Sequence, residues 1–197
     1  MSLKHAILVL LEKNPGSGYD LAQRFDGGIG NFWNATHQQV YQELKKLSSD
    51  QLVKFEVHTQ AERPDKKVYR ITTEGRSALK AWLKQPVKQG RINSTLLVKI
   101  YAAHLADPAA LDQELAQLII EHQQKLDGYA ELERLYFSAD VATRRKQRLP
   151  YLTLRSGIRY EWIWIEWMKE VKQLLADDAL PETPMMELLA KAAKAKR

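Results

Sequence analysis

Three glutamines, Gln38, Gln39 and Gln42, stand beside Lys45 and Lys46 in the stretch NATHQQVYQELKKL, Asn34 to Leu47. A glutamine amide accepts and donates at once, which matches the edge of an adenine, while lysine reaches guanine or phosphate. A surface meant only for water does equally well with Glu and Lys. Placing Val40, Leu44 and Leu47 against a core turns Gln38, Gln42, Lys45 and Lys46 outward and leaves Gln39 at the margin. A second set of cations, Arg63, Lys66 and Lys67, gathers in the turn AERPDKK. There they would neutralise phosphates or enter a narrow groove. Each set alone fits an ordinary solvated surface. Together, a basic turn following a polar-faced helix points to a nucleic-acid duplex.

The elements that must position these residues follow from periodicity. Ser2 is a plausible N-cap for a first helix with Leu3, Ile7, Leu8 and Leu11 on one face, and NPGSG ends it. A second helix runs from about Gly18 through Phe25, and the glycine-rich DGGIG follows. The third helix takes Asn34 or Thr36 as its cap. After Leu52 the period changes: Val53, Phe55 and Val57 point inward, and Lys54, Glu56 and His58 point outward. Pro64-Asp65 supports a reversal, KVYRIT returns as a second strand, and Thr73 caps a fourth helix that stops at Pro86. Three helices, a hairpin and a helix make an N-terminal winged helix-turn-helix over residues 1–86. In such a fold the helix of the glutamines enters the major groove, with its first residues at base edges.

The remainder is all helical. VKQGRIN reads as a linker, and a short helix spans about Ser94 to Leu105. Asp107-Pro108 starts a long helix with Leu111, Leu115, Leu118, Ile119, His122, Leu126, Tyr129, Leu132 and Tyr136 at three- and four-residue steps. Gly128 is expected to loosen it. DVATRRKQRLP reads as a basic break before another long helix, from about Tyr151 to Leu175. On a helical wheel Tyr160, Ile163, Trp164, Trp167, Met168, Val171, Leu174 and Leu175 form one stripe, and Ile158, Trp162 and Ile165 a second face. A small segment does not easily bury two faces of one helix, so the second face implies pairing with another copy. A helix sandwiched within its own subunit is the alternative. Residues 87–179 are thus expected to be a helical dimerisation domain, and 180–197 a flexible tail.

Composition narrows the classes. The 197 residues are 45% hydrophobic and 27% charged, the profile of a folded domain, and 30 Lys+Arg against 24 Asp+Glu give a net charge of +6. That balance favours anionic partners. The absence of cysteine excludes disulfides, thiolate metal sites and cysteine nucleophiles. The five histidines (His5, His37, His58, His104 and His122) show no ligand spacing, and GGIG lacks the context of a phosphate-binding fingerprint. No run of about 18 apolar residues is present, so no membrane partner is expected. A non-enzymatic cytoplasmic protein without cofactor or metal is the expectation.

The segments SLKHAILVLL, SGYDL, FWNATHQQVYQELKKL and ERPDKKVYRITTEG resemble a PadR-type transcriptional regulator. YLTLRSGIRYEWIWIEWMKEVKQLL resembles the last helix of the long-form C-terminal domain, especially in the virulence-activator branch. The resemblance implies a two-fold dimer built by C-terminal helices, with two winged helices on a roughly palindromic operator of double-stranded DNA. It places Thr36, His37, Gln38 and Gln39 at the groove, Tyr41 supporting the helix or touching the backbone, and Arg63, Lys66 and Lys67 on the wing. Two departures stand out: Gln42 where the family often has Pro, and Gln51 where it often has Gly. Some members resemble sensors of phenolic acids, so Tyr160, Trp162, Trp164 and Trp167 could line a pocket for a small aromatic effector, with Arg155 or Arg159 on its carboxylate. Ile158 and Ile165 complete the dimerisation or effector set. The expected function is a homodimeric, sequence-specific DNA-binding regulator. An effector-free activator working with another transcription factor, or a protein-interaction adaptor that does not use DNA, are the alternatives.

Overall fold

The computed structural model describes residues 3–25, 35–59, 65–87, 94–105, 107–177 and 181–194. Arg63, Asn34, Ser2, the DGGIG loop and most of the VKQGRIN linker lie outside the described residues. The chain divides into two compact units, Met1–Arg91 and Ile92–Arg197.

In the first unit, α1 (Leu3–Lys13) buries Ile7, Leu8, Leu10 and Leu11. A two-residue strand, β1 (Gly16–Ser17), leads into α2 (Gly18–Phe25), which buries Leu21, Ala22 and Phe25. Then come α3 (His37–Ser49), the hairpin β2 (Val53–His58) and β3 (Lys66–Ile71), and α4 (Thr73–Leu83). The sheet is antiparallel in the order β1-β3-β2, with Gly16 opposite Tyr69 and Val53 opposite Ile71. One core holds Ile7, Leu8, Leu21, Val40, Leu44, Leu47, Val53 and Leu79. Fully burying each large aliphatic of this set contributes about 1.5–3 kcal/mol.

One strained residue, one close approach and one cap fix the joints. Leu52 N–H donates to Leu47 O and Gln51 N–H to Ser48 O, the paired bonds of a Schellman helix end, with Gln51 at φ 57 in the position glycine usually takes. A Cβ on Gly75 would lie 2.1 Å from the Leu52 carbonyl oxygen, so only glycine lets α4 start there. Thr72, rather than Thr73, caps α4 by accepting from Gly75 N–H, and its hydroxyl donates to Gln51 O.

The strand expectation holds in phase but not in burial. Val53 is buried, whereas Phe55 and Val57 are 41% and 52% exposed. The hairpin runs past the end of the core, and Phe55 packs on Tyr69 at 5.4 Å between ring centroids instead. The third strand was not foreseen, because two residues carry no period.

In the second unit α5 (Thr95–Tyr101), capped by Ser94, is followed by a single 3-10 turn at Ala103–Leu105. The helix α6 (Pro108–Ser138) starts at Asp107 and passes Gly128 unbroken. The basic stretch forms a short helix, α7 (Val141–Lys146), capped by Asp140. Next comes α8 (Arg148–Asp177), with Pro150 in its first turn, where a missing N–H costs nothing. Within the stretch read as a flexible tail lies a helix, α9 (Met185–Lys194).

Helices α6 and α8 pack antiparallel. Leu111 and Leu115 meet Met168 at one end, Tyr129 lies on Gly157 in the middle, and Tyr136 stacks on Tyr151 at 4.2 Å at the other. The seam of α8 is Glu161, Ile165 and Met168, all buried, with Trp164, Trp167 and Val171 half-buried beside it. This corrects the two-stripe reading. Ile165 is 2% exposed and belongs to the intrachain seam, whereas Tyr160, Trp162 and Ile163 are 57%, 55% and 57% exposed. Ile158 is half-buried. Apolar residues cover so much of α8 that periodicity does not select the sector meeting α6. Glu161 marks the inward sector, where its carboxylate pairs with His122 Nδ1 on α6.

Candidate nucleic-acid interface

The start of α3 is built by a reciprocal cap. Thr36 Oγ1 accepts from Gln39 N–H at 3.2 Å, and Gln39 Oε1 accepts from Thr36 N–H at 2.9 Å. Such a box satisfies two otherwise orphaned donors. It also commits the side-chain oxygens of Thr36 and Gln39 to the helix end. Gln38, Gln42, Lys45 and Lys46 are exposed, one or two turns along the outer face. His37 opens the helix with its ring edge-on to Tyr19 at 6.3 Å, and the Tyr19 hydroxyl accepts from Gln23 Nε2.

Tyr41 has a supporting role that its half-exposed ring conceals. A Cβ on Gly18 would lie 2.3 Å from Tyr41 Cε1, so the ring rests directly on the backbone that begins α2. This contact sets how closely the two helices of the helix-turn-helix approach.

The wing contributes less free charge than its lysines imply. Lys66 Nζ lies 3.2 Å from Asp20 Oδ2 and 3.4 Å from Oδ1, in the first turn of α2. Lys67 Nζ sits 4.7 Å over the Phe55 ring, a cation–π contact that keeps it on the hairpin surface. Arg70 pairs with Glu56 at 3.8 Å. Asp20 in turn accepts from Ser17 N–H at 2.9 Å and donates its own N–H to Ser17 Oγ, a second capping box. The Ser17 N–H holds the Asp20 carboxyl below the usual carboxylate range, against the effect of burial, and the Ser17 hydroxyl and Lys66 assist. Lys66, Asp20, Tyr19 and His37 therefore form one chain of neighbours from the wing to the tip of α3. Periodicity alone does not bring Tyr19 and Asp20 to this surface. The signal was present in SGYD, where Ser and Asp stand at capping-box spacing.

The aromatic set of α8 is not brought to one face. Trp164 lies parallel to His122 at 6.1 Å and meets Trp167 edge-on at 5.2 Å, both toward α6. Tyr160 and Trp162 face outward with Ile163, and Arg155 lies 5.9 Å over Tyr151. Among the described residues no cluster of three metal-ligating side chains occurs, and no helix is long and apolar enough to cross a membrane.

Comparison with known proteins gives concordant results. The family model described as "Transcriptional regulator PadR-like family" matches residues 7–81, and "Virulence activator alpha C-term" matches residues 92–176. The protein named "Probable transcriptional regulator Rv1176c" of Mycobacterium tuberculosis is 39% identical over 187 residues, 90% of this chain and 99% of that protein. "Negative transcriptional regulator PadR" of Bacillus subtilis is 30% identical over 179 residues, 89% of this chain and 98% of its own length. The fold matches the Vibrio cholerae virulence activator AphA with TM-score 0.72 at 35% identity, covering 90% of this chain and 100% of AphA. It matches Bacillus subtilis PadR in complex with operator DNA with TM-score 0.73 at 28% identity, over 88% and 98% of the two chains. The complex of that PadR with p-coumaric acid matches with TM-score 0.67 at 25% identity, over 88% and 95%.

Proposed function

Because this chain belongs to the PadR-like family of DNA-binding transcriptional regulators, whose members are not enzymes, we propose that it acts as a cytoplasmic homodimer on a roughly palindromic operator. The observation that carries the reading is the outer face of α3. Gln38, Gln42, Lys45 and Lys46 project from a helix whose start is locked by the Thr36–Gln39 box and whose flank is locked on Gly18 by Tyr41. Rigid placement of a few amides and cations is what base reading requires, since phosphate contacts position a protein and base-edge contacts specify. Thr36 and Gln39 hold the helix in register, and His37, Gln38 and Gln42 meet bases. Lys45, Lys66, Lys67 and Arg63 supply salt-dependent attraction to phosphates.

The second copy sits on the outward side of α8, where Tyr160, Trp162 and Ile163 are all exposed. Exposed aromatics on a long helix are typical of the buried centre of an interface. A planar aromatic ligand held near these rings would change operator affinity only by binding the two dimer geometries unequally. PadR of Bacillus subtilis is known in complex with p-coumaric acid, which makes phenolic acids the first ligands to titrate.

Selection of bound sequences from random duplexes at near-physiological salt tests the reading. Enrichment of a two-fold symmetric site is the expected result. Recovery of no preferred sequence, with a partner protein still bound by a Gln38→Ala, Lys67→Ala variant, would leave the adaptor role standing instead.

A further inference from the structure

Asp20 stands where a surface for duplex DNA has least use for a negative charge. It lies beside Tyr19, whose ring meets His37 at the tip of α3, and its side chain is only 33% exposed. Three groups hold it: Ser17 N–H donates to its carboxylate, its own N–H donates to Ser17 Oγ, and Lys66 of β3 closes the ion pair. The cap by itself does not explain the charge. In α3 of this same chain a neutral glutamine completes the equivalent box. What a neutral amide cannot do is hold Lys66 electrostatically.

We propose that Asp20 is a positioning residue for DNA recognition: it ties the wing cation Lys66 to the front of α2 and withholds it from phosphates until wing and α3 engage together. The inference rests on the DNA-binding reading above. An ion pair this exposed is weak, so a correctly placed phosphate displaces Asp20 at small cost. On an arbitrary duplex the wing touches backbone without the base contacts of α3, and there the carboxylate keeps Lys66 occupied. Asp20 thus lowers random binding more than operator binding. It sharpens the ratio that decides occupancy in a genome full of competing sites.

The test uses the full chain and two duplexes, the selected operator and a scrambled one, titrated by fluorescence anisotropy from about 50 to 200 mM salt. Asp20→Asn retains an oxygen for Ser17 N–H but loses the ion pair. It should bind the scrambled duplex several-fold more tightly, with a gain that shrinks about threefold across that salt range, the mark of roughly one added phosphate contact. Operator affinity should rise less, so the specificity ratio falls. Asp20→Glu should restore the wild-type ratio, and in a Lys66→Ala background Asp20→Asn should leave the salt slope unchanged. An unaltered ratio and slope in Asp20→Asn, or the same steepening without Lys66, overturns the inference while leaving DNA recognition intact. A wild-type protein that does not distinguish the two duplexes overturns both. If Asp20→Asn does not fold, Lys66→Gln carries the test: it should flatten the operator slope by about one contact and lose more affinity for operator than for scrambled DNA, and equal losses reject the tie.

Discussion

Helices α3 and α8 present the two faces on which the proposed function depends, and the chain encodes them differently. On α3 one apolar row, Val40, Leu44 and Leu47, is fully sealed and the other side is polar, so the hydrophobic period fixes the rotation of the helix. On α8 apolar residues surround most of the circumference, and a carboxylate, Glu161, lies in the seam with His122. There the amount of apolar surface does not decide which side turns inward. A buried acid paired with His122 on α6 marks the side that turns inward, because a carboxylate buried there without that partner would cost far more than one left in water. Hydrophobic pattern locates a face when there is one to locate, and polar pairing arbitrates when there are two.

The sharpest way to break this contrast is to remove the arbiter. His122→Ala leaves Glu161 buried without its partner and should lower unfolding free energy by about 3–5 kcal/mol in urea titrations. Replacing both residues, His122→Leu with Glu161→Leu, should recover most of that loss. A single change no worse than a surface substitution would mean that the pair does not set the seam.

The outer face of α3 should behave in the opposite way. Gln38→Ala should shift stability by no more than about 0.5 kcal/mol, yet weaken operator binding by about 1–3 kcal/mol if its amide reads a base. Equal loss on operator and scrambled duplexes would assign Gln38 to the solvated surface. At the end of the same helix, Gln51→Gly should stabilise the first unit by about 1 kcal/mol, because φ 57 costs a side-chain-bearing residue and costs glycine little. Thermal unfolding reads this directly.

The smallest effect is one of pH. The carboxyl of Asp20 is held low in the folded protein, chiefly by Ser17 N–H and then by the Ser17 hydroxyl and Lys66. The unfolded chain therefore takes up its proton first as pH falls. The stabilisation is fully present above the ordinary Asp range, about pH 4, and is lost as pH drops through the lower folded value. Stability curves of wild type and Asp20→Asn should converge below that range, and parallel curves would contradict the assignment.

Most of the first unit was legible because its helices obey one period each and its caps use standard residues. The inward row of α3 follows from spacing alone, and of the two candidate caps, Asn34 and Thr36, the helix uses Thr36. What escaped was whatever depends on contact across elements: the two-residue strand β1, the Gly18–Tyr41 approach, and the tie between Asp20 and Lys66. Gln39 illustrates the limit. Its type fits an adenine edge, but its spacing from Thr36 also fits a capping box, and the box is where its oxygen is found. In the second unit the number and extent of the long helices were legible, whereas the rotation of α8 was not. A hydrophobic wheel gives no weight to Glu161, the residue that settles it.

Three of the five tryptophans, Trp162, Trp164 and Trp167, fall within one short run of α8. That helix accordingly carries most of the indole chromophores of the protein. Trp162 meets water, and Trp164 lies against the His122 imidazole. Covering Trp162 with a second copy moves its emission to shorter wavelength, so association can be followed by colour during simple dilution, with no label attached. Trp162 would thus report the proposed pairing from within the molecule.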